Sequence, residues 1–229
     1  MNARTLRLLL VVLGAWLNVA AAAGLDKISN QDAIAGLKAA LEKGSSAAVN
    51  NLGRSDGFFG NDRVKIPLPE SLKRYERLMR GVGMGKYADE LILTMNRAAE
   101  AAVPEAKVLL VDAVKRMSVQ DAKGILTGGD TAGTEYFKRT TSDPLRARFL
   151  PIVQQATRKV KLAESYNNYA GQAAKLGLVS KEHASLDAYV TQKALDGLFF
   201  MIGEEEKKIR RDPVGAGTDI IKKVFGALK

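Results

Sequence analysis

Apolar residues along the chain recur mostly at the three-to-four-residue spacing of an amphipathic helix, and strictly alternating β-branched runs are nearly absent. Ile34, Leu37, Leu41, Ala48 and Leu52 form one stripe and predict a first helix over about 30–52. Ser29 and Asp32 have the Ser-x-x-acid spacing of a capping box, and Gly53 ends the run. Residues 54–69 predict a loop, with Gly57, Gly60, the pair Phe58 and Phe59, and an extended stretch from Val64 to Pro69. Pro67 and Pro69 cannot both sit inside a helix, but Pro69 can open the next one. A short helix over about 70–80 follows, with Leu72, Tyr75 and Leu78 apolar, and Gly81, Gly83 and Gly85 break it.

The next predicted helix spans about 86–103, with Ala88, Leu91, Met95, Ala98 and Ala102 on one face. Pro104 starts or kinks a further helix to Met117, carrying Val108, Val111 and Val114. Ser118 and Asp121 make a second capping box for a helix ending at Leu126. The sharpest break in the chain is Thr127-Gly128-Gly129-Asp130-Thr131. Asp130 or Thr131 then caps a helix to about Arg139. Asp143, with Pro144 in the favoured first position, caps another, kinked at Pro151. A loop is predicted around 177–184. The strongest helix is Leu186 to about Arg211, with Glu204–Lys208 and Glu206–Arg210 as i,i+4 pairs; Asp212-Pro213 stops it. A last amphipathic turn covers Ile220 to Phe225. The sum is an all-α chain, an irregular single-domain bundle of about eight helices.

The N-terminus reads differently. Arg4 and Arg7 precede an apolar run from Leu8 to Leu17, and Ala21 and Ala23 fit the small-x-small pattern of a signal peptidase site. The run is too short to span a bilayer comfortably, which takes about 20 apolar residues. Residues 1–23 are therefore expected to be a signal peptide cleaved after Ala23, leaving 24–229 as one helical domain in the periplasm of a Gram-negative bacterium. The chain has no cysteine, which excludes disulfides, a thiolate nucleophile and a lipid-modified cysteine. The net charge is +10; Arg4 and Arg7 account for two of it, leaving +8 on the mature chain. A basic balance suits nucleic acid, anionic lipid or acidic ligands. Export argues against nucleic acid, and the cations are interleaved with acids, as on an ordinary solvated surface.

Several strings form a recognisable set: Asn30-Gln31-Asp32-Ala33-Ile34, Lys65-Ile66-Pro67-Leu68-Pro69, Met95-Asn96-Arg97-Ala98-Ala99-Glu100, Asp121-Ala122-Lys123-Gly124-Ile125-Leu126 with Gly128-Gly129-Asp130-Thr131-Ala132, Thr191-Gln192-Lys193-Ala194-Leu195-Asp196-Gly197-Leu198-Phe199, and Glu204-Glu205-Glu206-Lys207-Lys208-Ile209-Arg210. Together they resemble an uncharacterised bacterial family, domain of unknown function 4197, over nearly all of residues 29–225. The resemblance implies a signal peptide followed by one helical domain, and brings no activity, cofactor or catalytic residue.

The best candidate for a site is the stretch Thr127 to Thr134. Gly128 and Gly129 allow positive φ and close approach of a ligand, and the following helix start offers unpaired N–H groups. Thr131 and Thr134 add hydroxyls, so a phosphate or carboxylate would fit. The plainer reading is a glycine terminator followed by an Asp cap, and Asp130 itself repels an anion. The Gly-Lys-Ser/Thr ending of a Walker A loop is missing.

Asn96, Arg97 and Glu100 either line a polar cleft or form a half-buried ion pair. Gln192 and Asp196 either face a cavity or lie on a solvated face. His183, the one histidine, lies in a loop without the spaced partners that zinc or a triad needs, so no metal and no cofactor is expected. Phe58, Phe59 and Ile66-Leu68 are either a docking edge or pins that hold the long loop to the core.

The leading functional expectation is a non-catalytic periplasmic protein that binds an unknown protein partner or a small anionic ligand. The alternatives are a hydrolase or transferase with a polar pocket around Asp130, Thr131 and Arg97, and peripheral contact of the basic surface with anionic lipid, aided by Lys222-Lys223.

Overall fold

The computed structural model describes residues 29–158, 160, 163–164, 166–167 and 185–227. The expected signal peptide, the loop around 177–184 and His183 lie outside the described residues. Among the described residues there are eight α-helices, one 3-10 turn and no strand. The helices are α1 (Asn30–Leu52), α2 (Glu70–Gly81), α3 (Gly85–Ala102), α4 (Ala106–Arg116), α5 (Val119–Leu126), α6 (Ala132–Thr157), α7 (Leu186–Arg211) and α8 (Asp219–Gly226), with the 3-10 turn Val103–Glu105 between α3 and α4. Pro104 is thus neither a helix start nor a mid-helix kink; it sits in a tight turn that separates two helices. The fold is all-α, as the periodicity implies.

Two compact units are distinguished: Met1–Gly44, Val114–Tyr136 and Gly203–Lys229 make the first; Ser45–Ala113 and Phe137–Ile202 make the second. In the first unit Ala33, Leu37 and Leu41 of α1 are buried, as are Ile125 and Leu126 of α5, Ile209 of α7, and Ile221, Val224 and Phe225 of α8. Gly36 permits the closest approach, since a Cβ there would lie 2.5 Å from Val224 Cγ2. Ser29 Oγ accepts from the Asp32 N–H at 3.0 Å, the expected cap of α1, and the Asp32 carboxylate takes Lys223 at 2.7 Å. The Ser118–Asp121 box at α5 is complete in both directions.

In the second unit Phe58, Ile66, Leu91, Met95, Leu110, Phe137, Leu145, Phe149, Leu186 and Leu195 are among the largest fully buried side chains. On α4 Ala106, Leu110 and Ala113 of this unit are buried, while Val108 is exposed. The face expected from the valines is therefore rotated toward Leu110.

The largest departure from the sequence reading is α6. Arg139 does not end a helix and Asp143 does not start one; a single helix runs from Ala132 to Thr157 with Pro144 and Pro151 inside it. An internal proline costs about 3 kcal/mol by removing a donor and crowding the preceding turn. Against that, Phe137, Thr141, Leu145, Phe149 and Val153 are all buried at a spacing of four. Each large side chain among them gains about 1.5–3 kcal/mol by burial, so the continuous stripe outweighs the prolines. The hydroxyls of Thr141 and Ser142 donate back to the carbonyls of Phe137 and Lys138, both at 2.6 Å, as hydroxyls do inside bent helices. Asp143 pairs with Arg146 at 3.1 Å.

Candidate functional site

Polar clusters are built around the buried carboxylates Glu206, in the first unit, and Glu100, in the second; a further buried carboxylate, Asp187, accepts from the Thr157 hydroxyl and the Asn167 amide. The first is at the N-terminus of α6. An α-helix start leaves its first N–H groups without intrahelical partners. Here the Gly133 N–H donates to Glu206 Oε1 at 2.9 Å, and the Thr134 N–H and Oγ1 donate to Oε2 at 2.8 and 2.9 Å. Arg210, one turn further along α7, closes a salt bridge to Oε1 at 2.9 Å and donates to the Ile125 carbonyl at 2.9 Å. Its guanidinium also lies 5.6 Å from the Phe225 ring centre. A carboxylate has about four lone-pair positions, and these donors fill them. The α6 dipole and Arg210 both favour the negative charge there.

Gly133 is what lets Glu206 in. A Cβ at that position would lie 2.5 Å from Leu41 Cδ2 and 3.2 Å from both Glu206 oxygens. The sequence reading singled out Gly128 and Gly129 instead. The glycines with positive φ among the described residues are Gly83 and Gly217, so left-handed backbone is not the reason for that pair. Gly128 is needed for close approach, because a Cβ would meet Ala132 Cβ and the Gly124 carbonyl, each at 2.7 Å; at Gly129 there is open space. Gly128, Gly129 and Asp130 are exposed and Thr131 is half-buried. The Gly129 carbonyl accepts from Ala132 and the Thr131 carbonyl from Glu135. The N–H groups of Gly133 and Thr134, and the Thr134 hydroxyl, already hold a carboxylate, and it belongs to the protein.

The second cluster fixes the loop between α1 and α2. Asn96 on α3 is fully buried; its Oδ1 accepts from the Ile66 N–H at 2.8 Å, and its amide donates to the carbonyls of Ile66 and Ile92. One turn later, Glu100 Oε1 accepts from the N–H groups of Phe58 and Phe59 at 3.0 and 3.1 Å. Arg97 donates to Glu100 at 2.6 Å and to Asp56 at 2.7 Å, and these two carboxylates, Glu100 first, hold its guanidinium more firmly protonated than usual. Tyr189 on α7 donates to the Pro67 carbonyl at 3.0 Å, and burial, then the Glu70 charge, pushes its phenol up to about 12. A Cβ at Gly197 would come within 2.6 Å of the Phe58 ring, so that glycine admits the ring. Phe58, Val64, Ile66 and Leu68 are buried, which makes them pins that hold the loop rather than a docking edge.

Gln192, also in the second unit, accepts from Arg146 at 2.7 Å and donates to Asp196 at 2.8 Å. Its partners are not those of Asn96 or Arg97. Asn96, Arg97 and Gln192 belong to the second unit, and Gly128, Gly129, Asp130, Thr131 and Thr134 to the first. The sequence reading missed the role of Glu206, which is separated by more than seventy residues from the donors it caps; the nearest signal is the Glu206–Arg210 spacing. Among the described residues no group of three or more His, Cys, Asp or Glu has the geometry of a metal site, and no helix is long and apolar enough to cross a membrane.

No curated protein and no solved structure matches the chain. Residues 27–226 match the model of a family described as protein of unknown function, DUF4197, and the chain belongs to that family.

Proposed function

We propose that the protein is exported to the periplasm, loses residues 1–23, and acts there by binding a partner or a small anionic ligand rather than by catalysis. The observation that supports it most is the commitment of the buried carboxylates Glu100 and Glu206. Glu100 and Glu206 each accept from two successive backbone N–H groups and from a guanidinium, which leaves neither free to move a proton or attack a substrate. A hydrolase or transferase using Arg97 would need its guanidinium to meet substrate, and Glu100 and Asp56 already hold it. The anionic-ligand version keeps the exposed segment Gly128 to Asp130 as its edge, with Thr131 beside it.

The test is fractionation of cells producing the protein with its own N-terminus, followed by intact mass and native mass spectrometry of the purified material. Release by osmotic shock, a mass that begins at Gly24 and a bound partner or anion are expected. Retention in the cytosol with the first 23 residues intact would overturn the reading.

A further inference from the structure

The turn between α2 and α3 shows what such binding would engage. Leu78, Val82, Met84 and Tyr87 are 61, 71, 46 and 44% exposed, within ten residues of one another. Leu78 belongs to the apolar side expected of α2, on which Leu72 is buried. Gly81, Gly83 and Gly85 separate these side chains, and a Cβ at Gly81 or Gly83 would meet nothing within 4 Å. From Arg77 to Ala88 the chain carries three cations, Arg77, Arg80 and Lys86, and no carboxylate. Lys86 Nζ lies 5.2 Å from the Tyr87 ring centre. Arg80 braces the base of the turn, with salt bridges to Glu76 at 2.9 Å and Asp89 at 2.5 Å.

We infer that this turn is a membrane-contact tip, and that its partner is the surface of an anionic phospholipid bilayer; the inference rests on the binding reading above and names its target. Charge complementarity selects an anionic surface: Arg77 and Lys86 lie among the apolar residues, while the neighbouring acids Glu76 and Asp89 are held by Arg80. The spacing selects lipid over a folded protein. A helix that docks in a protein groove presents anchors at i, i+3, i+4 and i+7 on a rigid face. Here Val82 and Met84 stand as single prongs between glycines, with no fixed surface between them. Fluid acyl chains accept such prongs while headgroup phosphates take the cations. Patches of exposed apolar side chains on a soluble surface mark contact sites of this kind.

The experiment is vesicle cosedimentation of the protein expressed with its own N-terminus, using phosphatidylglycerol–phosphatidylcholine vesicles and pure phosphatidylcholine vesicles. Three forms are compared: wild type, Val82→Asp/Met84→Asp and Arg77→Gln/Lys86→Gln. Comparing forms that share one N-terminus cancels any contribution of that segment. Binding to the anionic vesicles is expected, with little to phosphatidylcholine. Each lost cation should weaken partitioning about fivefold, since a surface Lys or Arg contributes about 1 kcal/mol. The double Asp form should not bind. Circular dichroism and sizing of each form establish that it is folded and report its oligomeric state. No cosedimentation of wild type, or equal binding by the tip variants, overturns the inference. Self-association of wild type that the tip variants abolish, without vesicle binding, overturns it in favour of a contact between copies of the chain. Periplasmic release without vesicle binding refutes the tip alone, whereas cytosolic retention refutes the reading beneath it.

Discussion

Glu206 accepts from the backbone of two successive residues, Gly133 and Thr134, and from Arg210 four residues along its own helix. Glu100 accepts from Phe58 and Phe59, and from Arg97 three residues back on its own helix. The same three-part device thus serves a helix start in one unit and an irregular loop in the other. The arginines differ. Arg210 is 12% exposed and also caps the last turn of α5 through the Ile125 carbonyl, whereas Arg97 is 39% exposed and shares itself with Asp56 at the surface. A buried guanidinium depends on its partner in a way that a wet one does not. The first cluster should therefore be the more costly to break.

The largest effect is expected from Glu206→Ala. It strands a buried cation and two buried N–H groups, and truncating one side of a buried ion pair costs about 3–5 kcal/mol. Urea unfolding followed by circular dichroism measures it. Glu206→Gln, which keeps an acceptor, should recover part of the loss. Glu100→Ala should cost less, about 1–3 kcal/mol, because Arg97 can turn to water while two loop N–H groups lose their acceptor. Hydrogen exchange would show the difference in place: the Phe58 and Phe59 amides should exchange faster in Glu100→Ala and not in Glu206→Ala. Equal losses of stability in the two variants would remove the distinction drawn from arginine burial.

Gly133→Ala sharpens the comparison from the other side. It keeps the Gly133 N–H but puts a methyl 2.5 Å from Leu41 Cδ2 and 3.2 Å from both Glu206 oxygens. Overpacking of that kind costs about 1–3 kcal/mol. Gly129→Ala meets nothing within 4 Å, and a change at such an open surface position should stay within about 0.5 kcal/mol. If thermal melts place the two alanine variants together, the closeness of Gly133 to Leu41 and Glu206 is not what the helix start depends on.

Helix positions were legible because each stripe and cap is local. Ser118 and Asp121, three residues apart, specify α5 by themselves, and the stripe from Ile34 to Leu52 specifies α1. The break at Asp143-Pro144 was misread because an Asp followed by Pro has the same local appearance at a helix start as inside a helix; only the burial of Phe137, Thr141, Leu145 and Phe149 on one stripe decides between them. The clusters were half legible for a related reason. Arg97–Glu100 and Glu206–Arg210 are visible as spacings on single helices. What each carboxylate holds is distant in sequence: Phe58 and Phe59 for Glu100, Gly133 and Thr134 for Glu206. Glycine at Gly133 carries no local sign of its use, whereas the adjacent pair Gly128-Gly129 draws the eye as a turn.

The smallest effect belongs to a largely exposed ion pair, and it gives the scale for the other two. Asp32 at the start of α1 pairs with Lys223 of α8 at 2.7 Å, and that hydrogen bond, with the Lys223 charge, holds its carboxyl below its ordinary value of 3.8. The native protein therefore takes up this proton at lower pH than the unfolded chain does. The pair's contribution is complete above about pH 4 and is lost as pH falls through the depressed native value. Lys223→Gln should lower stability by a small, nearly constant amount above about pH 5 and shallow the acid limb, the difference from wild type vanishing as pH falls through the depressed native value. Because both groups are open to solvent, added salt should erase the difference between variant and wild type. The same salt titration should barely change the loss in Glu206→Ala, where the interacting groups are shielded from solvent ions. A Glu206→Ala loss as salt-sensitive as that of Lys223→Gln would mean that solvent reaches the α6 start, and the contrast between buried and surface arginines would lose its basis.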